Sequence, residues 1–458
     1  LNHNCGDSRF TKIKLLKNDR EASFFIPTIS PEIVMSNLKS IVELFDKFKN
    51  GKAPSLTTDL ILHQKKKLSR FLPLGTNNMN FIKAAVSQHI PYKIIDRSHI
   101  IYGYGSSSVI LNSSLTEHES VTGVSLAKSK VVSNRFLQMS GLPVTRQAQV
   151  DTLEAAKLIA DKFGYPVVLK PEAEEQGRGI FANIIDSLDL ELCYNHTKEK
   201  YDKMIIEKQI IGDHYRIDFA DGSLIKAVRR RPPHVIGDGL KSIDELISAL
   251  NLDPERLDPN SSKNIVEIDN DLIRCLRNQR ITLTDIPTSG RKIYLKSISN
   301  LSRGGDQLHV ENFIHEENLE LCKAISRIFR LKIIGVDIIS PDISVPWHQN
   351  GAKICEVNAQ PQLGRSGTDV YWRVLHKYIR PACQIYVQIK NKYEAKTTYL
   401  FDVEKHIIFI ELSPKYISEN GMPTQYYDYM KFSDDITDKE KKMVESLVQS
   451  KKPKHPQV

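Results

Sequence analysis

The sequence predicts an α/β protein built from several lobes. Strand-length apolar runs alternate with amphipathic helical stretches from residue 125 onward, several of those runs end in charged residues, and 458 residues exceed one ordinary core. Composition fits a soluble globular chain, with 40% hydrophobic and 26% charged residues. No run approaches the roughly 18 apolar residues of a membrane helix, and the opening residues lack the form of a leader. Six scattered cysteines form no CxxC pair, so neither a disulfide framework nor a zinc site is expected, and the reduced cytoplasm is the expected compartment.

The elements follow in order. Residues 1–124 alternate short apolar runs with polar breaks, and Ile100 to Leu111 reads as two strands around a glycine turn. Leu126 to Met139 has helical period and is stopped by Ser140-Gly141-Leu142-Pro143. Leu153 to Phe163 is a second amphipathic helix, and Val167 to Pro171 a buried strand carrying Lys170. Met204 to Lys208 is another apolar strand ending in charge, and Arg216 to Val228 a hairpin around Asp221-Gly222. Ile243 to Leu250 and Leu319 to Phe329 are helices; Ile334 to Ser340 and Lys353 to Asn358 are strands. The last twenty residues are charged, show no core pattern and are expected to fray.

Asp337, Glu356 and Asn358 stand out because they place oxygen-bearing side chains on otherwise apolar strands. Glu356 and Asn358 are two residues apart and so share a face. A buried acid pair is costly unless a cation neutralises it, and hard divalent ions take oxygen ligands. Lys170, separated by six residues from Gly177-Arg178-Gly179, can meet phosphate oxygens while glycine amides approach; taken alone it reads more readily as a strand-end lysine beside a turn. Met204-Ile-Ile-Glu207-Lys208 has the form of a nucleotide hinge or of a plain strand entering a turn. Arg229-Arg230-Arg231 is kept out of a helix by Pro232 and Pro233, and guanidiniums fork onto phosphate and carboxylate. Asn300 to Gly305 is a polar, glycine-rich loop of anion-cradling type, and Asp238 between two glycines reads as a turn residue. The net charge of +9 lies partly in Lys65–Lys67 and in Lys451, Lys452 and Lys454, which read as solvated surface. No aromatic-basic repeat accompanies it, so nucleic acid is not expected; attraction for ATP or an acidic substrate is the better use of a basic cleft.

In this order, Lys130, Val167-Val-Leu-Lys170-Pro, the Gly177-Arg178-Gly179 loop, Ile206-Glu207-Lys208, Gly335-Val-Asp337 and Glu356-Val-Asn358-Ala resemble the ATP-grasp ligases. Arg230 to Gly239, Asn251 to Arg256, Ile281 to Pro287, Asn300 to Gly305 and Asp342 to Pro346 make the likeness strongest to the ATP-grasp region of the cyanophycin synthetase family, over roughly residues 95–365. The resemblance implies an ATP-grasp fold in α+β lobes: a preceding N-terminal α/β domain at 1–124 that recognises substrate, a central lobe at 125–200, a C-terminal lobe with the metal site at 201–370, and a short extension at 371–458. It implies that Lys130 and Lys170 hold nucleotide phosphates, that Gly177, Arg178 and Gly179 cover them, and that Glu207, Lys208 and Ile210 line the adenine, with His214 at the ribose. Asp337, Glu356 and Asn358 would hold two Mg²⁺ ions, and Arg216, Arg230, His234 and Arg303 would neutralise an acylphosphate.

The implied activity is ADP-forming amide synthesis between a carboxylate and an amine, joining amino acids or extending a peptide. The alternatives are ligation to a non-peptide scaffold and a non-catalytic nucleotide- or peptide-binding module on the same fold. The implied partners are amino-acid or peptide substrates and a second copy in a homo-oligomer, with no nucleic acid and no membrane. Two departures concern detail. Glu174-Glu175-Gln176 stands where the family has Gly-Asn-His, and the stretch after Asn358 reads Ala-Gln-Pro-Gln-Leu-Gly-Arg, which places the change in substrate choice there. Nothing in 371–458 resembles the Mur-ligase-like domain of that family, so its second transfer is not expected of these residues.

Overall fold

The computed structural model describes residues 14–17, 22–25, scattered positions between 34 and 50, 72–88, 90, 92–103, 108–172, 179–257, 263–299, 303–364, 369–379, 383–391, 395–401, 406–420 and 427–447. The chain divides into two compact units, residues 1–117 with 366–458 and residues 118–365. The first unit begins with a hairpin of β1 (Lys14–Lys17) and β2 (Ala22–Phe25), then helix α1 (Gly75–Ser87). An antiparallel sheet follows, of β3 (Tyr92–Ile94), β4 (His99–Tyr102), β5 (Val109–Asn112) and β6 (Leu115–Thr116). The expected strand pair is β4 with β5, in which Ile100 faces Leu111; Tyr104 and Gly105 of its turn lie outside the described residues.

The second unit opens with α2 (Val121–Lys128) and α3 (Lys130–Met139). A single helix was expected over 126–139, but Ser129 interrupts it. That residue is extended (φ −96°, ψ 115°), and its hydroxyl accepts from the Val132 amide at 3.3 Å, capping a new helix. Lys130 therefore opens α3 instead of sitting mid-helix. Next come β7 (Gln147–Val150), α4 (Leu153–Phe163), β8 (Val167–Pro171), β9 (Phe181–Ile184), α5 (Ser187–Lys198) and β10 (Met204–Lys208). The four strands form an antiparallel sheet in the order β7-β10-β8-β9, and α4 and α5 supply apolar faces such as Ala156, Ala160 and Leu190 to its core.

The second sheet runs β15-β12-β11-β16-β17. Its first hairpin joins β11 (Asp213–Ala220) to β12 (Ser223–Arg231) through Asp221 (φ 46°) and Gly222 (φ 72°), both left-handed as a tight two-residue turn requires. Between β12 and β15 (Asp306–His309) an inserted segment packs β13 (His234–Ile236), α6 (Ile243–Asn251), α7 (Asn270–Asn278) and β14 (Lys292–Tyr294) around Val235, Ile247, Leu272 and Ile293. Helix α8 (Glu316–Phe329) leads to β16 (Ile333–Ser340), which pairs antiparallel with β17 (Lys353–Asn358). The loop after α3 is tied to β17, because the Ile354 amide donates to the Pro143 carbonyl at 2.7 Å.

The first unit resumes with α9 (Asp369–Tyr378), whose Tyr371 hydroxyl donates to Asn77 Oδ1 of α1 at 3.0 Å. A four-stranded sheet of β18 (Cys383–Ile389), β19 (Ala395–Phe401), β20 (His406–Leu412) and β21 (Tyr429–Phe432) follows, with helices α10 (Pro414–Asn420) and α11 (Asp438–Leu447). The expected frayed end is corrected over 438–447. Thr437 and Glu440 form a reciprocal cap there (2.8 and 3.3 Å), and Val444 is fully buried. Among the described residues no helix is long and apolar enough to cross a membrane.

Helix α2 docks on the end of α8 at Gly123, where a Cβ would lie 1.8 Å from the Phe329 carbonyl oxygen. Gly123→Ala is expected to lower unfolding stability by about 1–3 kcal/mol, the usual cost of forcing atoms into a packed contact. A chemical-denaturation midpoint checks it.

Candidate functional site

Cross-strand register explains how the second sheet acquires a polar face. In an antiparallel pair, directly opposed residues share a face. His214 opposes Arg230, Asp218 opposes Lys226, Arg216 opposes Asp337, and Asp337 opposes Glu356, with Asn358 opposite Gly335. One face of β12-β11-β16-β17 therefore presents three cations, three carboxylates, a histidine and an amide, while Tyr215, Ile217 and Phe219 of β11 point to the apolar side. Cys355 is an extra residue in β17, since Asp337 pairs with Glu356 and Ile338 with Ile354. This bulge aims Glu356 and Asn358 together.

Asp337 is the centre of that face. Arg216 Nη1 donates to its Oδ2 at 2.9 Å, Asn358 Nδ2 to the same oxygen at 3.0 Å, and Arg230 Nη1 lies 3.1 Å from Oδ1. Arg216 is itself pinned by Asp218, whose Oδ1 accepts from Nε at 2.6 Å. Its guanidinium occupies the space over Gly335, where a Cβ would meet Nη2 at 2.3 Å. Burial alone would push the Asp337 carboxyl up, but Arg230 and Arg216 outweigh it and hold its pKa below the ordinary carboxylate value. Glu356 has the opposite fate. Burial, and then the charge of Asp337, raise its pKa despite Lys130, Lys170 and Arg216 nearby.

Lys130 and Lys170 reach this cluster from the first sheet and its flanking helix. Lys170 on β8 and Glu207 on β10 form an ion pair at 2.5 Å, both nearly buried. Burial works against the Lys170 ammonium, yet Glu207 and then Glu356 keep its pKa raised. Lys130 Nζ donates to the Glu172 carbonyl at 3.4 Å. The two lobes are joined at Gly212 (φ +154°), where a Cβ would lie 2.6 Å from the Ser340 carbonyl carbon. Ile210 is half-buried at this junction.

The remaining expected residues lie elsewhere in the unit. The Lys208 ammonium is spent on the carbonyls of Gly164 (2.8 Å) and Tyr165 (3.3 Å), so only its backbone is left to line a hinge. His214 stands beside Asp337 and Arg230 on the carboxylate face, its pKa lowered by burial. His234 Nδ1 contacts the Pro232 carbonyl at 3.0 Å, and Arg303 Nη2 donates to Asp269 at 3.0 Å; both belong to the inserted segment and its neighbouring loop, not to the Asp337 contacts. Asp238 is the turn residue expected, accepting from the Leu240 and Lys241 amides at 2.9 and 2.8 Å. Gly179 (φ +67°) marks a close approach in which a Cβ would meet Pro171 Cγ at 2.8 Å. Gly177 and Arg178 lie outside the described residues, as do Glu174 to Gln176, Asn300 to Ser302 and Arg365.

Sequence reading missed Asp218 and Lys226, and quoted Gly335 in a motif without seeing the guanidinium it makes room for. Asp218 is fully buried, and its Oδ2 has no hydrogen-bond partner. Lys226, 4% exposed, donates to the Leu363 carbonyl at 3.2 Å and so ties the stretch after Asn358 to the sheet; burial lowers its pKa. Period-2 spacing within 214–218 and pairing across the hairpin were the available signal. Among the described residues no group of three His, Cys, Asp or Glu could hold a metal. The oxygen set here is two carboxylates and one amide, and it suits a hard divalent ion. The raised proton affinity of Glu356 comes first from its burial and then from the charge of Asp337.

No protein-family model matches the chain. Cyanophycin synthetase of Trichormus variabilis is 32% identical over 314 residues, which are 68% of this chain and 35% of that protein. The glutathione biosynthesis bifunctional protein GshAB of Pasteurella multocida is 26% identical over 311 residues, 65% of this chain and 40% of that protein. A crystal structure of a bifunctional glutathione synthetase from Pasteurella multocida covers 70% of this chain and 46% of its own at 22% identity, with a TM-score of 0.48. The chain spans about a third of the length of the cyanophycin synthetases it matches.

A raised carboxyl pKa means that the folded protein binds protons more tightly than the unfolded chain. Its contribution is present below the ordinary value of 4.5 and is lost as pH rises through the raised value. Glu356→Gln is therefore expected to raise the melting temperature of the ligand-free protein at pH 7 and to flatten the loss of stability above pH 4.5. Thermal scans of both proteins across pH 4 to 8 check this (on the order of a few degrees for about 1 kcal/mol).

Proposed function

We propose, from the premise that this chain belongs to the ATP-grasp family, that it is an ADP-forming carboxylate–amine ligase that joins amino acids or extends a peptide. The observation that carries the reading is the convergence of Lys130, Lys170, Glu356 and Asp337 across the two lobes. Cations from one side and an oxygen ligand set from the other are what a nucleotide triphosphate with divalent metal needs. Lys130 and Lys170 hold the phosphates, and the backbone around Glu207, Lys208 and Ile210 lines the base. Asp337, Glu356 and Asn358 hold two Mg²⁺ ions, which when bound neutralise phosphate charge.

Phosphoryl transfer asks the protein mainly for positioning and charge compensation. A substrate carboxylate takes the γ-phosphoryl group, ADP leaves, and an amine displaces phosphate from the acylphosphate. The arginines divide this work unequally. Arg216 has a side chain only 7% exposed and is locked between Asp218 and Asp337, so it fixes the Asp337 carboxylate. Arg230 is 28% exposed and bound at one end, so it can turn towards charge on the acylphosphate. Lys226, through Leu363, shapes the wall beyond Asn358 where the acid or amine is received. The cytoplasm is the compartment this reaction implies, and a homo-oligomer its simplest assembly.

The test is incubation with Mg-ATP and pools of amino acids and short peptides, following ADP, phosphate and product mass. Wild-type protein is expected to release ADP only with an acid and amine present. Lys170→Met and Asp337→Asn are each expected to lower that rate by about 10²–10³, the usual loss on removing a preorganised charge at a reacting centre. Tight ATP binding with no ADP under any substrate combination would instead identify a non-catalytic module.

A further inference from the structure

The inserted segment between β12 and β15 also grips the lobe of the first sheet. Asp189, in the first turn of α5, is 5% exposed and receives two arginines of α7. Arg274 Nη1 donates to its Oδ2 at 3.0 Å and Arg277 Nη2 to its Oδ1 at 3.2 Å. Arg274 continues past the carboxylate into the lobe. Its Nη2 donates to the Ala182 carbonyl at 2.5 Å, and its guanidinium carbon lies 5.5 Å from the centroid of the Phe181 ring. Asn278 Nδ2 adds a contact to the Asn183 carbonyl at 3.5 Å. Three successive residues of β9 are thus held, directly next to the strand that bears Lys170, by α7 residues whose spacing of three and four places them on one helix face.

The other end of α7 is held separately. Asp269 caps the helix, accepting from the Leu272 amide at 3.0 Å, and the same carboxylate binds Lys296 and Arg303. One helix therefore has Arg303 attached at its N-terminus and the Lys170 lobe attached along its face. Asp271 lies 3.9 Å from Arg274 on the same helix, so Arg274 keeps a nearby acid but no second close pair.

We propose that Arg274 and Arg277 of α7, with Asp189 of α5, are positioning residues that latch the nucleotide-holding lobe to the inserted segment and so set the spacing of Lys170 from the Asp337 cluster. The proposal rests on the reading of the cleft as a nucleotide site. A tie meant only for stability would gain as much from apolar packing, since a buried ion pair offers little net stabilisation over hydrophobic residues of similar volume. What charged, forked partners add is a fixed orientation between two bodies.

Two variants test it. Asp189→Asn removes the charge facing both arginines at constant volume. Arg277→Ala removes only the outer partner, which is 57% exposed, and leaves the buried pair to hold the fold. Affinity for a non-hydrolysable ATP analogue with Mg²⁺ is measured by calorimetry, and amide hydrogen exchange is followed over residues 181–184. Asp189→Asn is expected to weaken nucleotide binding about tenfold, and Arg277→Ala about two- to threefold, as befits an exposed pair. Both should speed exchange at 181–184 more than in β11 or β16. Faster exchange with unchanged affinity would reduce the contacts to a structural tie and overturn the proposal, as would unchanged exchange. Wild-type protein that binds no nucleotide would instead overturn the reading of the cleft, and this proposal with it.

Discussion

The carboxylate of Asp337 is the constraint around which the second sheet is arranged. It sits on an interior strand, and it stays ionised because Arg230 of β12 and Arg216 of β11 close on it. Each of those arginines imposes something further. Arg216 requires Asp218 behind it and empty space above Gly335, and its neighbour Arg230 brings the basic end of β12 into the same face. A single buried charge thus dictates the residue type at four other positions. In the same arrangement Glu356, part-buried beside Asp337, has its pKa raised by burial and by that neighbouring charge.

That asymmetry separates two kinds of cation at the site. Guanidiniums are planar and always charged, so they fix geometry and cannot be titrated away. Here they serve Asp337, inside the sheet. The ammoniums of Lys130 and Lys170 approach from the other lobe and serve the open side, where phosphate oxygens would compete for them. Lys170 is already paired with Glu207. Binding of a polyanion would therefore rearrange an existing, nearly buried ion pair.

Much of this was legible in the sequence, and the reason is periodicity. Leu153–Phe163, Val167–Pro171 and Met204–Lys208 were bounded correctly because Gly, Pro or charge ends each apolar run. The hairpin at Asp221-Gly222 was read from its turn. What stayed hidden depends on partners distant in the chain. Arg216 was singled out, but Asp218 and Lys226 gain meaning only when β11 and β12 are placed in register. Gly335 looks like any strand glycine until a guanidinium from 119 residues earlier lies over it (335 − 216). Ser129 broke an expected helix because its local hydrogen bond to Val132 competed with helical period. Likewise, the cap between Thr437 and Glu440 was readable as a spacing, yet charge density concealed the buried Val444 behind it.

His234 and Arg303 are held by the insertion and not by the Asp337 cluster. Both lie away from the Asp337 contacts, in an insertion that has its own core of Val235, Ile247, Leu272 and Ile293. That core fixes the insertion as a body, and its α7 face binds Asp189, Ala182 and Asn183 of the first-sheet lobe. The stretch after Asn358 is tied to the sheet by Lys226, which donates to the Leu363 carbonyl, and it buries Ala359, Pro361 and Leu363. On the Asp337 face side chain binds side chain, and removing Asp337 or Arg216 leaves a buried charge without its partner.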